Sequence, residues 1–177
     1  IPFPFPMSES PTTDPRLADI SAWLTQLNTP RTLPGTLRAA SADASFRRYF
    51  RVDTADGGTL IVMDAPPPQE DVRPFLQVAE LFGNTGVTVP KILARDVDRG
   101  FLLLSDLGST TYLKQLSADT AHTLYLDAID ALILLQVQSR PGQLPEYDRA
   151  ALHRELMLFP EWYIGKHRNA SLNDAQT

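Results

Sequence analysis

Ser41-Ala42-Asp43-Ala44-Ser45-Phe46-Arg47-Arg48-Tyr49-Phe50-Arg51-Val52 joins a run of small side chains to aromatic residues interleaved with arginines. The interleaved part predicts a strand, because successive side chains of a strand point to opposite faces. The small residues before it predict a hairpin loop whose backbone amides can approach a ligand closely. Ser41 and Ser45 add hydroxyl donors to that loop.

The sequence on either side predicts the order helix, three strands, helix, two strands. Asp14 followed by Pro15 is typical of a helix start, and apolar spacing extends this helix to Asn28. The turn Asp56-Gly57-Gly58 predicts a hairpin, and Pro74 opens the second helix. The predicted strands are residues 36–40, 48–53, 59–64, 91–95 and 101–105.

Beyond Gly108 the pattern is helical. A short helix is predicted over residues 112–116, followed by a long one from Ser117 to Ser139. Two apolar stripes on the long helix predict that it is buried on most sides. Asp148 caps a further helix through residue 159, after which Pro160 bends the chain onward.

Composition restricts the class of protein. The 177 residues are 43% hydrophobic and 21% charged, which is typical of a folded chain, and the net charge is −5. That charge argues against a nucleic-acid or membrane-surface partner. No cysteine is present, and no apolar run reaches the roughly 18 residues that span a bilayer. We expect a cytoplasmic protein without disulfides.

The two ends are predicted to be tails. Residues 1–13 read as a disordered tail, and three alternating prolines exclude a helix over residues 1–6. We expect Met7 to be the native start and residues 1–6 to be non-native; a genuine extended arm is the alternative. Residues 168–177 read as a frayed tail.

Four motifs in order resemble the aminoglycoside phosphotransferase family, whose fold is that of protein kinases. They span residues 43–51, 62–67, 100–108 and 155–163, the third being Gly-Phe-Leu-Leu-Leu-Ser-Asp-Leu-Gly. Within the family they are most similar to bacterial kinases that phosphorylate the anomeric hydroxyl of N-acetylmuramate and N-acetylglucosamine. The resemblance implies an α+β fold: a kinase-like N-lobe over residues 14–104, a hinge at 105–110, and the start of a helical C-lobe at 111–167.

The resemblance implies a site for ATP or another nucleoside triphosphate. The small-residue loop would contact phosphates, the Ser105 carbonyl and Leu107 amide would bind adenine, and Val62 and Leu104 would sandwich the base. The residues implied to bind nucleotide are Ser41, Ala42, Asp43, Ala44, Ser45, Val62, Met63, Leu104, Ser105 and Leu107. An ordinary hairpin turn is the alternative for the loop. Asp106 is expected to cap the helix that follows Gly108.

One family feature is missing. The strand 59–64 is where the phosphate-binding lysine of protein kinases stands, and that position falls here at Met63 or Asp64. Arg47, Arg48 and Arg51 are candidate replacements for its charge. Glu80, the position of the usual partner glutamate, is better read as a solvated helix residue.

All but one of the substrate candidates lie near the end of the chain. Arg48, Glu155, Glu161, Trp162 and Tyr163 are implied to contact the sugar, the aromatic rings by stacking on it; packing of those rings into the C-lobe core is the alternative. His153-Arg154-Glu155 mimics a kinase catalytic motif, but its apolar spacing is helical and Pro160 stands where an asparagine is needed. We therefore expect no catalytic residue and no metal ligand in this chain.

The function implied is the N-terminal portion of an ATP-dependent amino-sugar kinase. Its Mg²⁺ ligands and catalytic base would lie outside these 177 residues, so the chain alone is expected to be inactive. Self-association through exposed C-lobe helices is a further expectation. The alternatives are a kinase for choline, homoserine or an aminoglycoside, or a non-catalytic pseudokinase lobe that binds a partner.

Overall fold

A computed structural model describes residues 14–28, 30–42 and 45–173, with the side chain of Ala42 excluded. The predicted tail 1–13, the loop residues Asp43 and Ala44, and residues 174–177 lie outside the described part. The structure divides into two units, the first ending at Gln138 and the second beginning at Ser139. The lobe boundary predicted at residues 105–110 is a different division and stays a prediction.

The first unit is built on a five-stranded antiparallel sheet in the order β1-β2-β3-β5-β4. The predicted order of elements and the α+β class are confirmed. The element bounds are α1 Pro15–Gln26, β1 Thr32–Ala42, β2 Arg48–Thr54, β3 Thr59–Asp64, α2 Arg73–Gly83, β4 Ile92–Asp96, β5 Phe101–Ser105, α3 Tyr112–Gln115 and α4 Ala121–Gln138.

One face of the sheet, called the α1 face here, packs against the first helix. Asp14 caps α1 by accepting from the Arg16 amide at 3.0 Å, as the sequence predicted. Helical spacing then places Ile20, Trp23 and Leu24 of α1 on buried Val52, Val62, Phe101 and Leu103 of the sheet. Burial of these apolar side chains provides the stabilisation of this layer.

The opposite face, called the α2 face, forms a second cluster. Met63, Ala65, Val72, Leu102 and Leu104 are buried there, and Phe75 and Leu76 of α2 pack against them. Residues adjacent along β3 and β5 therefore alternate between two separate clusters, as the pleat of a strand requires. This division between faces decides which side chains can share a ligand.

The first strand is longer than predicted. It begins at Thr32, whereas the predicted strand began at residue 36, and it continues through Pro34 and Gly35. β1 is an edge strand, where a proline that cannot donate is tolerated. The pairing with β2 shifts register between Leu33 and Arg38, so the irregularity is absorbed by a bulge.

The long helix α4 contradicts its predicted burial. None of its residues is buried in the described part of the chain, and Val137 is 74% exposed. The larger exposed side chains are Tyr125, Leu126, Ile129, Leu132, Ile133, Leu134 and Val137. The prediction was wrong because an apolar pattern specifies a surface that can be buried, while burial itself requires a partner.

The second unit consists of helix α5, Arg149–Leu158, and a π-helical continuation, α6, Phe159–His167. Asp148 caps α5 by accepting from the Ala151 amide at 2.8 Å, as predicted. Pro160, which has no amide hydrogen, lies in the first turn of α6. Across the described residues, no helix is both long enough and apolar enough to cross a membrane.

Candidate nucleotide-binding site

The small-residue loop connects β1 and β2 as a hairpin. Ser41 pairs with Tyr49, and Ala42 pairs with Arg48. At the far side of the loop the hydroxyl of Ser45 accepts from the Arg47 amide at 3.1 Å. The amide of Phe46 donates to Glu70, which follows β3, at 3.2 Å. The hairpin is thus anchored at its C-terminal end, whereas its tip at Asp43 and Ala44 is not described.

The three arginines of this stretch are bound to carboxylates. Arg47 pairs with Glu70 at 2.9 Å. Arg48 pairs with both Asp14 and Asp64 on the α1 face, and it holds the pKa of Asp14 below its usual value through that hydrogen bond. Arg48 therefore lies on the face opposite the second cluster, and its predicted contact with the sugar stays a prediction. The carboxylates offset the positive charge that any of the three could offer to a phosphate.

The two residues at which the kinase lysine was expected, Met63 and Asp64, are both buried. Met63 packs in the cluster of the α2 face and is fully buried. Asp64 points to the other face, where it accepts from Arg16 Nε at 2.8 Å and from Arg48 Nε at 2.9 Å. Neither residue supplies a positive charge toward the α2 face. Glu80 is exposed on α2, which agrees with its reading as a solvated residue.

The predicted sandwich of a base between Val62 and Leu104 is wrong. Val62 is paired with Leu103 and buried under α1, whereas Leu104 is paired with Ile61 on the α2 face. Both proposed side chains are almost completely buried, at 0% and 3% exposure. Two side chains on opposite faces of one sheet cannot contact the same ring.

Two residues that the sequence analysis did not name as candidates lie on the α2 face. Tyr49 and Ile61 are half-buried, share the α2 face with Leu104, and belong to the neighbouring strands β2 and β3. They provide partly exposed apolar surface on that face. Strict alternation along β3 would have suggested Ile61 in place of Val62, since Ile61 and Met63 share a face.

The segment after β5 presents main-chain groups. Ser105 is held by Lys91, whose carbonyl accepts from the Ser105 amide at 2.9 Å and whose amide donates to the Ser105 hydroxyl at 2.8 Å. Leu107 is 58% exposed, and no described residue accepts a hydrogen bond from its amide. An unpaired donor two residues after Ser105 is available to a ligand.

Asp106 does not cap a helix, contrary to expectation; α3 begins later, after Thr111. The carboxylate instead accepts from the guanidinium of Arg51 at 2.5 and 3.1 Å. This hydrogen bond is the main reason that the pKa of Asp106 lies far below its ordinary value, although burial opposes the shift. Asp106 is therefore ionised under all physiological conditions.

The described residues do not fit a resident divalent metal. No group of three or more histidine, aspartate or glutamate side chains gathers in the described part of the chain. The carboxylate of Asp106, which precedes Leu107 in the chain, already accepts hydrogen bonds at both oxygens. A cation at this site would need ligands from elsewhere.

The predicted substrate residues of the second unit lie in α5 and α6. The Nζ atom of Lys166 lies 3.5 Å from the centre of the Trp162 ring. The rings of Tyr163 and Phe159 are stacked, with their centres 5.2 Å apart. Glu155 and Glu161 are exposed. The motif His153-Arg154-Glu155 is helical, as expected for a non-catalytic segment. Contact of these residues with a sugar stays a prediction.

Comparison with known proteins relates this geometry to a family. Residues 36–177 match the model of the phosphotransferase enzyme family. Three curated relatives are each named N-acetylmuramate/N-acetylglucosamine kinase. That of Pseudomonas putida is 48% identical over 94% of this chain and 51% of its own length; that of Pseudomonas aeruginosa is 55% identical over 78% and 41%. That of Neisseria meningitidis is 48% identical over 79% and 42%.

The match covers most of this chain but only part of each relative. The chain spans about half the length of the curated relatives that it matches. The family model covers most of the chain, including the sheet from β1 onward and both units. The resemblance inferred from the four sequence motifs is thus confirmed at the level of the family. The chain belongs to the phosphotransferase enzyme family.

Proposed function

We propose that this chain is the nucleotide-binding portion of an ATP-dependent, cytoplasmic kinase that phosphorylates amino sugars. The observation that supports it most is the exposed residue Leu107, whose amide makes no hydrogen bond to any described residue and which follows a strand whose Leu104 packs with Tyr49 and Ile61. Adenine has an exocyclic amine next to ring nitrogen N1. A carbonyl at residue 105 and an amide at residue 107 complement that pair, so main-chain atoms alone recognise the base.

The substrate proposal depends on the relatives. Their printed names specify N-acetylmuramate and N-acetylglucosamine, and we propose the anomeric hydroxyl of these sugars as the acceptor. In the whole protein that oxygen would attack the γ-phosphorus, the bond to the β–γ bridging oxygen would break, and ADP would leave. The base that takes the hydroxyl proton, and the ligands of Mg²⁺, would come from parts of the protein outside this chain.

The phosphate side of the proposal involves Ser41, Ser45 and the loop between them. Small side chains leave room for phosphate oxygens near the main chain. Because Arg47, Arg48 and Arg51 are paired with carboxylates, they contribute little net charge to the site. We propose that Mg²⁺ held by the rest of the protein provides most of the neutralisation.

A chimera tests this proposal. The chain replaces the matching half of the Pseudomonas putida relative, which it resembles over 94% of its own length. We expect the chimera to transfer phosphate from ATP to N-acetylglucosamine or N-acetylmuramate in a radiolabel assay. The unaltered relative is the positive control, and its unmatched half alone is the negative control. A chimera that folds by circular dichroism yet phosphorylates neither sugar would contradict the substrate proposal.

A further inference from the structure

Asp106 lies in the chain between the two main-chain groups proposed to bind adenine. Its carboxylate is held by four donors. Oδ1 accepts from the Gly108 amide at 2.8 Å and from Arg51 Nη2 at 3.1 Å. Oδ2 accepts from Arg51 Nε at 2.5 Å and from the Thr59 hydroxyl at 2.7 Å. One side chain thus joins β2, β3 and the segment that leaves the sheet.

Burial distinguishes this arrangement from an ordinary surface ion pair. The side chain of Asp106 is only 7% exposed and that of Arg51 is 20% exposed. In the nearby pair of Arg38 and Asp53 the exposed fractions are 48% and 38%. A fork of two hydrogen bonds to a shielded carboxylate also fixes orientation, which a single exposed contact does not.

The neighbouring residues are fixed in turn. Ser105 is bound to Lys91 on one side, and Gly108, with a positive φ of 89°, is bound to Asp106 on the other. Between them the Leu107 amide makes no hydrogen bond to any described residue. Rotation of the main chain at Asp106 would turn the Ser105 carbonyl and the Leu107 amide, and the held carboxylate opposes that rotation.

We propose that Asp106, Arg51 and Thr59 form a clamp that orients the peptide groups of residues 105–107 for purine recognition. This inference rests on the proposed nucleotide site. All three are positioning residues, because their side-chain hydrogen bonds join them to each other and to Gly108 and do not point to a ligand. Groups held in the binding orientation lose less entropy when the ligand arrives, so the clamp raises affinity for the base without contacting it.

The test compares ATP with 1-deaza-ATP, in which a carbon replaces ring nitrogen N1. In the unsubstituted 177-residue chain we expect ATP to bind about tenfold more tightly, because 1-deaza-ATP cannot accept from the Leu107 amide. Asp106→Asn should bring this ratio close to one by weakening ATP binding. Thr59→Val, a milder change of similar shape, should reduce the ratio partly.

The controls separate the clamp from the site itself. Asp53→Asn removes an exposed carboxylate on the same sheet and should leave the ratio unchanged, and inorganic tripolyphosphate should bind all variants equally. An unchanged ratio in both Asp106→Asn and Thr59→Val would overturn the clamp while leaving the nucleotide site intact. A wild-type chain that binds both nucleotides equally, or neither, would overturn hinge recognition and the clamp with it.

Discussion

Gly100→Ala is expected to destabilise the first unit by about 3 kcal/mol or more. Gly100 is buried at the end of the β4–β5 turn with a φ of +75°. A Cβ atom there would lie 1.9 Å from the carbonyl oxygen of Ala65 and 2.9 Å from its carbonyl carbon. The Ala65 amide also donates to the Gly100 carbonyl at 2.9 Å, so the two segments cannot separate without losing that bond.

Gly57→Ala is the matched control for this effect. Gly57 has a similar φ of +88°, but nothing lies within 4 Å of the added Cβ. We expect a loss of only about 1 kcal/mol, which is the cost of the left-handed conformation alone. Urea unfolding monitored by circular dichroism measures both changes. Equal unfolding free energies for the two variants would contradict the close packing of Gly100 on Ala65.

Asp64→Asn is expected to cost about 3 kcal/mol of unfolding free energy, at the lower end of the range for breaking a buried ion pair. The Asp64 side chain is fully buried and accepts from both Arg16 and Arg48. The amide would remove the counter-charge of Arg16 and one of the two carboxylates that bind Arg48, which would keep Asp14. The lower end applies because the arginine side chains are 27% and 38% exposed, so water reaches them in part.

The Asp64→Asn substitution should loosen the packing of helix α1. Arg16 lies in the first turn of that helix, its guanidinium carbon lies 4.8 Å from the centre of the Phe101 ring, and it also donates to the Arg99 carbonyl at 2.8 Å. Loosening of α1 would expose Trp23, which is 4% exposed, and red-shift its fluorescence. Asp53→Asn breaks an exposed pair and should cost less than about 1 kcal/mol. A similar loss in both variants would contradict the assignment of Asp64 as the centre of the ion network.

Local sequence signals predicted the elements of the sheet and its helices. Asp14, Asp148 and the turn Asp56-Gly57-Gly58 specify boundaries through hydrogen bonds to residues two or three positions away. Apolar spacing similarly identified α1 and α2. Signals of this kind are readable because both partners lie in the same short window.

The errors arose where partners are distant in the chain. The register of β3 on β5 pairs Ile61 with Leu104, 43 positions apart, and it decides which residues share a face. The partners of Asp64 lie 48 and 16 positions away in the sequence. No local pattern therefore shows that Asp64 is the buried centre of an ion network and not simply a residue that replaces the kinase lysine. The exposure of α4 depends on what packs against it, which its own periodicity does not specify.

The proposed nucleotide site requires that the main chain after β5 recognises a purine. The most direct measurement is a ¹⁵N–¹H spectrum of the 177-residue chain titrated with ATP and Mg²⁺. We expect the Leu107 amide resonance to shift downfield as a new hydrogen bond forms, with a smaller response to tripolyphosphate. An unmoved Leu107 amide at saturating ATP would contradict the account.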